Sequence, residues 1–121
     1  MIHPIRLFRS ISHALRGIAL ALRTEHSFRV QVCLAILVVA AAGWLGVRAT
    51  EWIVLLLVIG AVLVLELMNT VLERMMDTFK PRLHPVIHDM KDIMAGVVLL
   101  ASLAGAAIGG VIFWPYFVSL F

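Results

Sequence analysis

Apolar positions fall into three long runs, and polar residues gather before and between them. Residues 30–47 are broken only by Gln31, residues 52–65 are apolar throughout and stop at Glu66, and residues 93–121 carry no charge. A helix needs about 20 residues to cross roughly 30 Å of hydrocarbon. The first and third runs are long enough as they stand. The second is long enough only if its helix continues past Glu66, to about residue 78. The pattern therefore predicts three transmembrane helices, over about residues 28–47, 52–78 and 86–114. Pro115 is expected to end or kink the third. Trp114 and Tyr116 beside it read as an interfacial anchor, and Trp44 and Trp52 mark the same outer boundary.

Residues 5–24 have a different period. At about 100° per residue, Arg6, Arg9, His13, Arg16 and Arg23 share one arc, with Leu7, Phe8, Ile11, Leu15, Ile18 and Leu22 opposite. This predicts an amphipathic helix lying in the membrane interface. Its arginines suit anionic headgroups, and Arg6 or Arg9 is also a candidate for a phosphate substrate. Residues 78–89 contain Pro81 and Pro85, which predict a break, with Pro85 opening the next helix. Neither a repeat nor a low-complexity linker is present, so residues 1–121 read as one domain.

Composition narrows the class. Of the 121 residues, 63% are hydrophobic and 14% charged, with mean hydropathy +1.07. That excludes a soluble globular enzyme, a disordered chain and a disulfide scaffold, and leaves an all-α membrane protein. One cysteine, Cys33, cannot form an internal bridge. The net charge of +3 reads as topology and lipid contact, with no nucleic-acid partner. Nine of the ten Lys and Arg residues precede the first span or lie at 74–91, and only Arg48 separates the first and second spans. The positive-inside rule places the N-terminus in the cytoplasm and the C-terminus outside. No cleavable signal is expected, because arginines interrupt the apolar residues of the N-terminal segment.

Residues 66–77 carry the candidate chemistry. Glu66, Asn69, Thr70, Glu73 and Asp77 fall within roughly 100° of one helix. Stacked like charges are unfavourable, and burial in lipid adds a few kcal/mol per charge. A cation such as Mg2+, or a carboxyl that stays protonated, would relieve the conflict. Measured from Trp52, Glu66 lies about 21 Å into a roughly 30 Å core, and Asp77 reaches the aqueous edge. One end of the stripe can meet a lipid hydroxyl and the other a water-soluble, metal-bound ligand. An interhelical hydrogen-bond seam or an ion path is the bland alternative.

Lys91 and Asp92 open the third span, where Lys91 can neutralise the stripe or hold phosphate oxygens. Glu25 sits among Arg23, His26 and Arg29 as a solvated charge or, beside another carboxylate, a metal ligand. His84 and His88 have helical metal-pair spacing but lack a third ligand. The phosphate-loop and soluble-kinase motifs are absent.

The pattern E-x-x-N-T-x-x-E-x-x-x-D at 66–77, followed by H-P-x-x-x-x-x-K-D-x-x-A-G at 84–96, resembles the prokaryotic diacylglycerol kinase / undecaprenol kinase family. Ala14-Leu-Arg-Gly17 and Glu25-His-Ser-Phe28-Arg29 fit it too, and the resemblance covers about residues 5–115. It implies ATP-dependent phosphorylation of a lipid alcohol in the bacterial cytoplasmic (inner) membrane. It also implies a homotrimer whose active sites are shared between neighbours. By this resemblance Glu66 is the general base, and Glu25 and Glu73 carry Mg2+ for ATP. Asn69, Asp77, Lys91 and Asp92 hold phosphates or support the site, and Arg6 and His84 contact the nucleotide. His13 stands where the family often has an aromatic, and Gln31 where the diacylglycerol branch usually has Glu. His84-Pro85 and Ala95-Gly96 resemble the undecaprenol branch, so undecaprenol is the expected substrate and diacylglycerol the alternative. From other classes, a proton-coupled transporter would need Glu66 but not the acids at the cytosolic edge. A scaffold subunit would not need Glu66, Asn69 and Glu73 together.

Overall fold

The computed structural model describes residues 3–121, apart from the side chains of residues 80–84. Helix α1 spans Pro4–Thr24, α2 spans His26–Leu45 and α3 spans Ala49–Ser119. Pro4 pre-sets the first turn of α1, where its missing N–H has no partner to lose. At the other end, Glu25 is extended (φ −114°, ψ 110°) and separates α1 from α2. Arg29 Nη1 donates to the carbonyls of Leu22 (3.0 Å) and Arg23 (2.9 Å). These are orphan acceptors at a helix C-terminus, and a cation suits the negative end of the helix dipole. Apart from Ala21, α1 is almost wholly exposed.

Helix α2 stops two residues earlier than expected because Gly46 takes the left-handed conformation (φ 67°, ψ 47°). The N–H groups of Gly46 and Val47 both bond the Ala42 carbonyl, at 3.0 and 3.3 Å, closing a glycine C-cap. Helix α3 starts three residues earlier than expected. Glu51 accepts a bond from the Arg48 backbone N–H at 3.1 Å, which caps the first turn. A second bond, from Arg48 Nε to Glu51 Oε1 at 3.4 Å, together with the Glu51 charge, holds the Arg48 guanidinium above its ordinary range.

A straight helix would separate Glu51 from Tyr116 by about 98 Å. Instead the Tyr116 hydroxyl donates to the Glu51 carboxylate. Leu55 packs with Ile112, a Cβ at Gly105 would lie 3.0 Å from Val58, and Lys91 meets Asp77. These partners pair in reverse order, so α3 doubles back as two antiparallel arms, Ala49–Phe79 and Pro85–Ser119. The expected break at Pro81 falls outside the described residues. The second arm runs through Pro115 to Ser119, so Pro115 does not end the helix. Phe113 and Tyr116, on either side of it, pack against the cluster of Ala42, Val47, Leu55 and Ile112, and those contacts offset the one backbone bond a proline removes.

Helix α2 and both arms of α3 are each long and apolar enough to cross a membrane. One small buried cluster, Ala42, Val47, Leu55 and Ile112, lies at the end of the spans near the α2–α3 turn, while Ala21, Phe28, Met76 and Ile87 are buried apart from it. Large residues such as Leu57, Leu100 and Val111 stay exposed. In water that would be a liability, whereas in a bilayer it is the lipid-facing surface.

Candidate active site

The first arm of α3 brings the predicted stripe onto one face. Glu66 and Thr70 are buried, at 3% and 7% exposure, Asn69 and Glu73 are half-buried, and Asp77 is exposed. Exposure therefore rises along the stripe from Glu66 to Asp77. Thr70 Oγ1 donates to the Glu66 carbonyl at 3.1 Å, a bond one turn back along the helix that leaves the Glu66 carboxylate available. Asn69 Nδ2 lies 3.4 Å from Glu73 Oε1, and Asn69 Oδ1 is buried with no partner among the described residues.

Glu25 arrives from the α1–α2 junction. Glu73 and Glu25 both act electrostatically on the Glu66 carboxylate. Three carboxylates from two parts of the chain thus share one region. Cations face them. Arg74 Nη2 bonds Glu25 Oε1 at 2.8 Å, and Lys91 Nζ from the second arm lies 2.5 Å from Asp77 Oδ1. Lys91 also feels the Glu73 charge.

The remaining expected residues stand apart from this group. Asp92 points to His88, at 3.4 Å, and both are largely exposed. Arg6 is exposed near the start of α1. It lies 19 residues before Glu25, or about 28 Å along the helix. The side chain of His84 lies outside the described residues. Sequence reasoning missed Arg74, whose only signal was its position beside Glu73, on the flank of the stripe. It also missed the bond between Tyr116 and Glu51, because helical period says nothing about which arm pairs with which.

Among the described residues, no three His, Cys, Asp or Glu side chains could together hold a metal ion. Glu25, Glu73 and the orphaned Asn69 oxygen are each hard oxygen donors by chemistry. That suits Mg2+, which is usually held by one or two carboxylates together with waters and substrate phosphates.

An apolar groove of about 440 Å³ approaches the same site between α2 and both arms of α3. Leu55, Val62, Leu63 and Phe113 help to line it, and Gln31 Nε2 donates across it to Ser102 Oγ at 3.1 Å. The groove ends at Leu63, one turn from Glu66. Glu66 itself is not among the lining residues.

These features define a class: an all-helical membrane protein whose acids, amide and lysine gather on one face at one end of the spans. Residues 12–113 match the family model for prokaryotic diacylglycerol kinase, and the chain belongs to that family of lipid kinases. It is 34% identical to the undecaprenol kinase of Bacillus subtilis over 110 residues, covering 91% of this chain and 89% of that one. It is 36% identical to a diacylglycerol kinase of Synechocystis over 115 residues, covering 94% of this chain and 66% of the longer relative. The Escherichia coli K12 diacylglycerol kinase is 24% identical, with 93% and 92% covered.

Proposed function

We propose that this protein transfers the γ-phosphoryl group of ATP to the hydroxyl of a membrane lipid alcohol, with undecaprenol as the preferred acceptor. The observation that carries this reading is the buried Glu66, one helical turn beyond the apolar groove and at the head of a polar stripe that becomes exposed toward Asp77. A hydrocarbon chain in the groove brings its hydroxyl to the Glu66 carboxylate. Glu66 takes the hydroxyl proton onto a carboxylate oxygen, and the lipid oxygen attacks the γ-phosphorus. The bond to the β-phosphate oxygen breaks, and ADP leaves. Asn69 orients Glu73, and Lys91 offsets the charge gathering on the phosphates. Mg2+, when bound with ATP at Glu25 and Glu73, neutralises phosphate charge. Positioning and electrostatics of this kind supply most of the catalysis in phosphoryl transfer.

Assembly and placement belong to the same proposal. Helix α1 lies in the cytoplasmic interface with Leu7, Phe8 and Ile11 toward lipid, and the Arg48 turn and the C-terminus face outward. Arg6 is too far along α1 to reach a nucleotide held at Glu25 of its own chain, which supports a site completed by a neighbouring copy in a homotrimer. Asp92 and His84 serve the nucleotide in that assembled site.

The test is transfer of labelled γ-phosphate from Mg-ATP in lipid–detergent micelles, with undecaprenol and a diacylglycerol side by side and Glu66→Gln as control. Labelled undecaprenyl phosphate that disappears in the control supports the proposal, and label in diacylglycerol alone reassigns the acceptor. No labelled lipid, with proton flux that depends on Glu66, would replace the kinase by a transporter.

A further inference from the structure

The Glu25 carboxylate already has a cation. Arg74 Nη2 lies 2.8 Å from Glu25 Oε1 and 2.6 Å from Thr24 Oγ1. Thr24 gives its own proton to the Leu20 carbonyl at 2.8 Å, which leaves its oxygen to accept from Arg74. The guanidinium therefore bridges two acceptors at the α1–α2 junction, and Arg29 fixes that junction from the other side. The two acids assigned to the metal consequently have unlike partners. Glu73 has a neutral amide from Asn69, whereas Glu25 has a full positive charge.

A divalent cation on Glu25 would compete with Arg74 for the same carboxylate, because the guanidinium already takes up a lone pair of Oε1 and the two cations repel. We propose that Arg74 is a positioning residue, a built-in counter-cation that holds Glu25 at the site without metal and gives it up when metal arrives. The inference rests on the reading of Glu25 as a metal ligand. Exposure decides whether the exchange is feasible. The Arg74 and Glu25 side chains are 47% and 27% exposed, so this is a screened surface pair that a divalent ion can displace. A fully buried pair would shut the metal out. The competition expected from such a pair is about two- to five-fold in metal affinity.

The experiment is titration of the detergent-solubilised full chain with Mn2+ alone, following free Mn2+ by electron paramagnetic resonance. Arg74→Gln is expected to bind Mn2+ about two- to five-fold more tightly than the wild type. Arg74→Lys should fall between them, because it keeps the charge on a shorter side chain that ends one atom before Nη2, the nitrogen that makes both bonds. Glu25→Gln should weaken binding, and adding Arg74→Gln to it should restore nothing. Unchanged or weaker binding in Arg74→Gln, with Glu25→Gln still weakened, overturns the inference and leaves Glu25 as a ligand. If Arg74→Gln does not fold, Arg74→Lys at or below wild-type affinity overturns it equally. No effect of Glu25→Gln removes the metal reading itself, and the inference falls with it.

Discussion

Lys91 Nζ lies 2.5 Å from Asp77 Oδ1, joining the two arms of α3 at the end where the carboxylate stripe emerges. Fourteen residues and the chain reversal separate the two. The pair therefore draws the second arm's cation to the polar end of the stripe, within reach of the Glu73 charge. In the proposed reaction Lys91 also faces the phosphates. Lys91→Gln is accordingly expected to lower kcat/KM for Mg-ATP by about a hundredfold, the scale of losing one preorganised charge-stabilising group. Steady-state kinetics at saturating lipid checks this. Wild-type kinetics would leave Lys91 as a structural partner of Asp77 only.

Glu66 carries the sharpest expectation. Gln keeps its shape and leaves the Thr70 bond intact, because that bond is to the Glu66 carbonyl. It removes the proton acceptor. Glu66→Gln should cut phosphoryl transfer by about 10² to 10⁴, the contribution of general base catalysis, while nucleotide affinity stays near wild type. Single-turnover transfer together with ATP binding separates the two effects. A large loss of ATP affinity would recast Glu66 as a binding residue.

Gly46 is the one residue with positive φ among those described, at 67°. A Cβ there meets no atom within 4 Å, so the strain of a side chain would come from the backbone alone. Gly46→Ala should destabilise the protein by about 1 kcal/mol through the left-handed penalty. Equilibrium unfolding in mixed micelles measures it. Activity per folded molecule should not change, because the turn lies at the opposite end of the spans from Glu73 and Asp77.

Topology gives an independent check. With Cys33→Ser to remove the native thiol, a cysteine introduced by Thr50→Cys should react with a membrane-impermeant reagent added outside intact cells. One introduced by Ser10→Cys should react only after the cells are opened. The reverse pattern would invert the proposed orientation, and ATP would then meet the stripe from the wrong side.

Much of this arrangement was legible in the chain itself. Period 3.6 at residues 66–77 put Glu66, Asn69, Thr70 and Glu73 on one face, and the alternation of runs and charges gave three long apolar helices. Helix ends were harder. Gly46 ended α2 early through a backbone conformation that hydropathy does not encode, and the second arm ran through Pro115 because its flanking aromatics are held by packing. Long-range partners were invisible for the same reason. Nothing local links Arg74 to Glu25 or Gln31 to Ser102, since each pair depends on how separate helices dock.

The bond between Tyr116 and Glu51 is the counterpart of the Lys91–Asp77 pair at the opposite end of the arms, and it yields the last prediction. Glu51 also accepts from the Arg48 backbone and side chain, so one carboxylate ties the α3 cap to the far end of the second arm. Tyr116→Phe removes the hydroxyl and keeps the ring that packs against the cluster of Ala42, Val47, Leu55 and Ile112. The arms should then separate more readily at that end, seen as a lower midpoint in thermal unfolding and faster hydrogen exchange over residues 111–119. Phosphoryl transfer should be unaffected, because Glu51 lies about 22 Å along the arm from Glu66. Lost activity with unchanged unfolding would mean that this clamp reaches the chemistry, and the separation of structural and reactive ends would have to be abandoned.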